Sequence, residues 1–377
     1  MAKRGRQSPK GHWQQIIVAA ERGARRIARK AKNYDPNRWS YEHTIRPNPR
    51  FKIKGKSKGN TSIDFPEEIR FDSAVQVDEA VLIMKNLRLA ALEGRFKKIL
   101  IDHSKVKAMA PEVAFLLLAE IQRCKAYCEG RTSITGAYPQ SHDVAELLTE
   151  IGFFEALKIK PPQIPVTHKP RTYLRIESEN KSLARVVDSL LECFSQEFSF
   201  EESDRKRLHV ALIECMDNVF EHAYHIDSLK PYLYKEWWLA GYADHVDSSI
   251  GFMFYDQGAG IPSTIRKRKP ARVLDRLRTW SDGAWIERAI RKQISRHSSG
   301  RRGHGLEKLK KFLDRLDVEG SLRVVANKGD VEFFTSGKQT KVDNLEQALD
   351  GTLIVWKLRG IAGSLLSDVD SGKSDDK

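Results

Sequence analysis

Glu214, Asn218 and His222 stand four residues apart, so on a helix they share one face. Their types suit metal-assisted chemistry on phosphates. An Asn amide oxygen is a hard ligand of the kind magnesium accepts while keeping several waters. A carboxylate one turn away, Glu214, can orient or deprotonate an attacking water or hydroxyl. His222 has two readings of similar weight: a member of this face, or a hydrogen-bonded residue near the helix end.

Asp256-Gln257-Gly258-Ala259-Gly260-Ile261-Pro262 begins where an apolar strand ends. A carboxylate at that place can accept the amino hydrogen of adenine, which selects adenine over guanine. Gly258 and Gly260 allow backbone shapes and close approaches denied to other residues. Alone, D-x-G-x-G reads as an ordinary turn; the strand before it and Ile261-Pro262 after it favour a ligand loop. Gly300-Arg301-Arg302-Gly303-His304-Gly305-Leu306 offers backbone N–H groups ahead of an expected helix, Leu306–Leu316, which suits an anion. Arg301, Arg302 and His304 either add charge there or are solvated. Asp350-Gly351-Thr352 leads into the apolar strand Leu353–Trp356, and Thr352 by itself is a β-branched residue starting a strand.

In this order the four motifs resemble the nucleotide site of the GHKL superfamily, named for gyrase, a heat-shock chaperone, histidine kinases and MutL. The resemblance covers roughly half the chain. It implies ATP and Mg²⁺ as ligands. It gives Asn218 the metal, Glu214 the role of base, Asp256 the adenine contact and Thr352 the support of that contact. It places Gly258 and Gly260 in the nucleotide loop, and Gly300, Gly303, His304, Gly305 and Leu306 around the phosphates. His222 matches a residue common in the anti-sigma-factor and histidine-kinase branches. The insert Ser263–Arg302 carries 13 Lys/Arg against 3 Asp/Glu. By resemblance it is a lid whose closure controls turnover, and its charge suggests a second contact surface. Gln339-Thr340-Lys341 has the composition of a gyrase-type catalytic loop but precedes the last strand, so it reads as coincidence. His43-x3-Pro47 has nearly the spacing of a histidine-kinase phosphoacceptor but no helical hairpin around it, and the dipeptide His142-Asp143 lies in the middle of the chain, between the arm and the linker.

The elements that must position these residues divide the chain into five parts. Residues 1–60 are a basic arm, 61–160 a first domain, 161–171 a proline-rich linker, 172–360 the ATP-binding domain and 361–377 a disordered tail. The first domain reads as strands Ser62–Ile69, Lys98–Asp102 and Arg131–Thr135 alternating with helices Val77–Glu93, Val113–Tyr127 and Asp143–Ile151. That order predicts an α/β sandwich. The ATP-binding domain reads as strands Tyr173–Ile176, Glu236–Ala243, Ser249–Tyr255, Leu322–Ala326, Val331–Thr335 and Thr352–Leu358, with helices Lys181–Phe198 and Asp204–His225. The expected fold class is therefore α/β throughout.

Ile99–Met109 resembles the strand and loop of STAS domains, the anti-anti-sigma-factor fold, and Gly136–Pro139 and Leu147–Phe153 fit its later elements. A STAS domain is commonly the target of a GHKL serine kinase, its acceptor serine standing at the head of a helix. Here that place holds Ala110-Pro111-Glu112, with no hydroxyl, and Pro111 and Glu112 make a good first helical turn. Ser104 is an alternative acceptor or a turn residue. The domain reads as a STAS-like docking module.

The arm holds 17 Lys/Arg and 3 Asp/Glu, a net +14 in a chain of +15 overall. The rest of the protein is thus near neutral. Trp13, Ile16, Ile17, Ala20, Ala24 and Ile27 form one apolar stripe of a helix from about His12 to Lys32. Basic residues interleaved with Trp13, Tyr34, Trp39, Tyr41 and Phe51 suit nucleic acid, with an acidic protein surface, anionic lipid or a solubilising tail as the other readings. No apolar run reaches the ~20 residues of a membrane span. Cys124, Cys128, Cys193 and Cys215 read as buried free thiols of a reducing cytoplasm. The expected protein is a cytoplasmic Mg·ATP-binding regulator with slow hydrolysis and a protein partner, and a homodimer is compatible with it. The alternatives are a protein-serine kinase acting on a separate partner, and an ATPase that works on nucleic acid through the arm and lid.

Overall fold

The computed structural model describes residues 59–93, 96–163, 171–179, 184–197, 202–219, 223–224, 236–244, 248–268, 279–291, 305–315, 319–335 and 339–359. The arm helix, the tail and Gly300–His304 lie outside the described residues. Helices and strands mix throughout, as expected of an α/β protein.

The first domain has strands β1 (Asn60–Asp64), β3 (Lys98–Asp102) and β5 (Ser133–Gly136) in a parallel sheet of order β1-β3-β5. A small parallel pair joins β2 (Glu68–Ile69) to β4 (Ala108–Met109). The expected strand Ser62–Ile69 is thus two strands. Pro66 falls between them, where a missing N–H ends a ladder. Helix α1 spans Ala74–Glu93, α2 Pro111–Cys128, α3 His142–Glu150 and α4 Phe153–Leu157. Pro111 starts α2 and Glu112 sits in its first turn. Ser104 is a turn residue: its Oγ and N both donate to Asp102 Oδ1, at 2.6 and 3.2 Å.

The second domain is built on a five-stranded antiparallel sheet of order β6-β7-β8-β10-β9. Its strands are β6 (Arg171–Glu179), β7 (Trp237–Asp244), β8 (Ser249–Asp256), β9 (Glu319–Phe334) and β10 (Lys341–Arg359). The two late strands expected at Leu322–Ala326 and Val331–Thr335 are one strand, β9. The last strand begins at Lys341 rather than Thr352, with register shifts around Leu349. Helices α5 (Ala184–Glu197), α6 (Glu202–Asn218), α7 (Ile261–Arg268), α8 (Asp282–Ile290) and α9 (Gly305–Asp314) complete it. The described part of the insert is therefore helical and capped, with Ser281 Oγ accepting from Ala284 N at the start of α8.

Every residue of β7 and β8 is buried, because the sheet is covered on both faces. Alternate side chains go to opposite cores. Trp237, Leu239, Phe252, Phe254, Ile354 and Trp356 pack with α5, α6, α8 and α9. Trp238, Ala240, Met253, Tyr255, Leu353 and Val355 join one continuous core with α1 and α2 of the first domain. The first domain, expected to serve for docking, is thus one wall of the second domain's sheet. Cys124, Cys128 and Cys215 are buried free thiols. Among the described residues, no helix is long and apolar enough to cross a membrane.

Candidate functional site

Strand β8 delivers Asp256 to the edge of the helical core, with only 6% of the residue exposed. Its register neighbour on β10 is Thr352, and the threonine hydroxyl bonds the carboxylate. Gly258 N donates to Asp256 Oδ1 at 2.7 Å. Burial outweighs these bonds and pushes the Asp256 carboxyl up to about 7. A carboxylate this poorly solvated gains from any donor that reaches it.

The turn after Asp256 is built by close approaches. A Cβ on Gly258 would meet Ala223 O at 2.6 Å, and Ala259 N donates to that same carbonyl at 3.0 Å. The stretch just beyond α6 is therefore stitched to the turn. Gly351 has φ +97, and a Cβ there would overlap the Asp256 carbonyl oxygen. Only glycine lets β10 cross at this point.

Gly260 also has positive φ, and Asn327 of β9 closes around it. Asn327 Nδ2 donates to Ala259 O at 3.0 Å, and its Oδ1 accepts from Ser263 Oγ at 3.0 Å. Asn327 is itself left-handed, at φ 52. Gln257 is wholly buried; its N donates to Tyr224 Oη and its Nε2 to Ala119 O of α2, both at 3.2 Å.

Glu214 and Asn218 lie on α6, and Val219 and Ala223 beyond it are in π-helical conformation; His225, the expected end, lies outside the described residues. His222 lies outside the described residues. Asn218 Nδ2 is buried without a hydrogen-bond partner among the described residues. Glu214 Oε1 is paired with Lys308 Nζ of α9, with both side chains part-exposed. Cys215 links the two halves of the site: burial, then the nearby charges of Glu214 and Asp256, push its thiol well up. The α6 carboxylate and the β8 carboxylate thus act on one buried side chain.

The structure therefore brings Asp256, Gly258, Gly260 and Thr352 into one cluster, and sets Glu214 and Asn218 beside it. Gly305 and Leu306 open α9. Gly300, Gly303 and His304 lie outside the described residues. Asn327, Lys308 and the inward turn of Gln257 escaped the sequence reading. Asn327-Lys328-Gly329 inside an apolar strand was a usable signal, since Asn tolerates left-handed backbone better than most residues. Lys308 looks like any solvated lysine of a basic helix.

No protein-family model matches this chain, and no curated protein does either. The functional reading accordingly rests on the motifs and on this geometry.

Proposed function

We propose that this chain is a Mg·ATP-binding regulatory protein of the GHKL type, with a Bergerat-like second domain and a STAS-like first domain. Slow ATP hydrolysis would be coupled to partner binding. The observation that carries the reading is the buried Asp256 carboxylate, gripped by Thr352 and enclosed by the turns at Gly258, Gly260 and Gly351. A desolvated acceptor at the end of a rigid strand is well suited to the exocyclic amino group of adenine, and guanine would present a carbonyl to it instead.

The residues also fit magnesium and phosphates. Asn218 Nδ2 is buried without a hydrogen-bond partner among the described residues, and the amide oxygen is a suitable hard ligand. Magnesium would supply charge neutralisation at the phosphates. Glu214 would hold the attacking water and take its proton once Lys308 has released it. The N-terminus of α9 suits the phosphates by its dipole and the direction of its first N–H groups.

The test is Mg·ATP binding and turnover by the intact chain beside Asp256→Asn and Glu214→Ala. Loss of binding in the first variant, and binding without turnover in the second, support the reading. An intact chain that binds no nucleotide sinks it. Labelled phosphate transferred to a partner protein would turn the reading into the serine-kinase alternative. Turnover stimulated by DNA or RNA with steep salt dependence would favour the nucleic-acid alternative, carried by the +14 arm.

A further inference from the structure

The back of the adenine end is made by the first domain. Gln257 Nε2 donates to Ala119 O of α2, and Tyr255 Oη donates to Asp350 O at 2.7 Å. The Asp350 carboxylate takes Arg88 Nη1 of α1 and lies 4.0 Å from Arg123 Nη1 of α2. Arg88 also grips Glu120 with Nε and Nη2, at 3.0 and 2.8 Å. Arg123 pairs with the same carboxylate. Burial opposes ionisation of Glu120, but Arg123 and Arg88 outweigh it and hold the carboxyl below its usual range. Two cations thus face two anions, with no side chain more than 12% exposed.

Stability is a poor explanation for such a network, because well-packed apolar residues of similar volume are commonly as stable or better. Its location is more informative. Asp350 immediately precedes Gly351, which crosses the Asp256 carbonyl, and Thr352, which bonds the Asp256 carboxylate. Wherever Asp350 is drawn, Thr352 follows.

We propose that Arg88, Glu120 and Arg123 are positioning residues that act through Asp350 to hold Thr352 on Asp256, so that the first domain sets the purine selectivity of the nucleotide site. This inference rests on the ATP-binding reading above. It has a reciprocal consequence: nucleotide that favours the clamped turn also strengthens the contact between the domains, by the same factor. Whatever binds the first domain is then coupled to ATP through the chain from Arg88, Glu120 and Arg123 to Asp350, Thr352 and Asp256.

The test compares ATP and GTP affinity of the intact chain by calorimetry with Arg88→Lys, Asp350→Asn and the double variant. Arg88→Lys keeps the charge and removes the fork. Asp350→Asn, at the most exposed member, keeps the test alive should Arg88→Lys fail to fold. Lys357→Met is the control. It breaks the pair between the part-exposed Lys357 and the buried Glu112, at 2.9 Å on the same interface, roughly 17 Å along β10 from Thr352. We expect each clamp variant to lose about tenfold in ATP affinity and in ATP-over-GTP preference. The double variant should be no worse than either. Lys357→Met should melt earlier with its preference unchanged.

Folded clamp variants that keep the original preference would overturn the inference and leave the ATP reading intact. So would a control that shifts the preference as much as they do. Absence of nucleotide binding by the unaltered chain would remove both.

Discussion

The two ends of the candidate site are made differently. The proposed adenine end is made of strands. Asp256 and Thr352 face each other in register, glycines at 258, 260 and 351 sit where no Cβ fits, and Asn327 ties the turn to β9. The proposed phosphate end is made of side chains on two helices, α6 and α9, with Glu214 in an ion pair that would have to open before it could act as a base. On the proposed reading, recognition is built into backbone that cannot move without breaking the sheet. Chemistry depends on part-exposed side chains that exchange partners. The difference teaches that the adenine end is intolerant of substitution, whereas the phosphate end should separate binding from turnover.

Gly351→Ala should produce the largest effect. The added methyl overlaps the Asp256 carbonyl, and φ +97 is strained for alanine. We expect a loss of at least about 3 kcal/mol in stability and no measurable nucleotide binding. A thermal melt within a degree or two of the unaltered protein would break the comparison.

Asp256→Asn should divide stability from function. The folded chain holds the Asp256 proton up to about pH 7, whereas the unfolded carboxyl releases it near its ordinary value. Between those limits the folded state binds more protons, so this group's contribution to stability is present at low pH and is lost as pH rises to about 7. At pH 8 the asparagine variant should therefore be more stable by on the order of 3 kcal/mol, while no longer binding ATP. Denaturant titrations at pH 5 and pH 8 check this. A variant less stable at pH 8 would show that the carboxylate is not strained in the empty site.

Glu214→Ala should leave ATP affinity within a few-fold and lower turnover by about 10²–10⁴. Single-turnover kinetics give the answer. Equal losses in affinity and turnover would mean that the phosphate end is as rigid as the adenine end.

Lys308→Ala should have the smallest effect on stability, below about 1 kcal/mol, because the pair it leaves is part-exposed. A larger loss in a melt would make Lys308 a structural residue of the α6–α9 contact and not a releasable partner of Glu214.

The cluster around Asp256 and Thr352 was legible in the sequence because backbone requirements leave fixed residue types behind. A strand-end Asp, glycines two apart and a Gly before a β-branched residue mark positions where alternatives are excluded. The sequence was less informative about the phosphate end, where a lysine's partner depends on which helices meet. The extent of β9 was missed because Asn327-Lys328-Gly329 resembles a hairpin turn, yet pairing with β10 carries the strand through it. The first domain's helices were legible from Ala, Leu and Val periodicity. Their role was not. The apolar face of α2 and the runs Trp237–Asp244 and Ser249–Asp256 each signal burial, but sequence cannot say that they bury one another. Nor could the charges of Arg88, Glu120, Arg123 and Asp350 be told from a solvated helix face, since Asp350 is 262 residues from Arg88.

The central claim is that Asp256 reads adenine as a carboxylate. The direct measurement is calorimetric titration of the intact chain with Mg·ATP and with Mg·GTP at pH 6 and pH 8. The account predicts tight ATP binding at pH 8 and far weaker GTP binding. It also predicts an ATP affinity that falls toward about tenfold per pH unit below the Asp256 value of about 7. Equal affinity for both nucleotides, or ATP affinity that is unchanged between the two pH values, would contradict it.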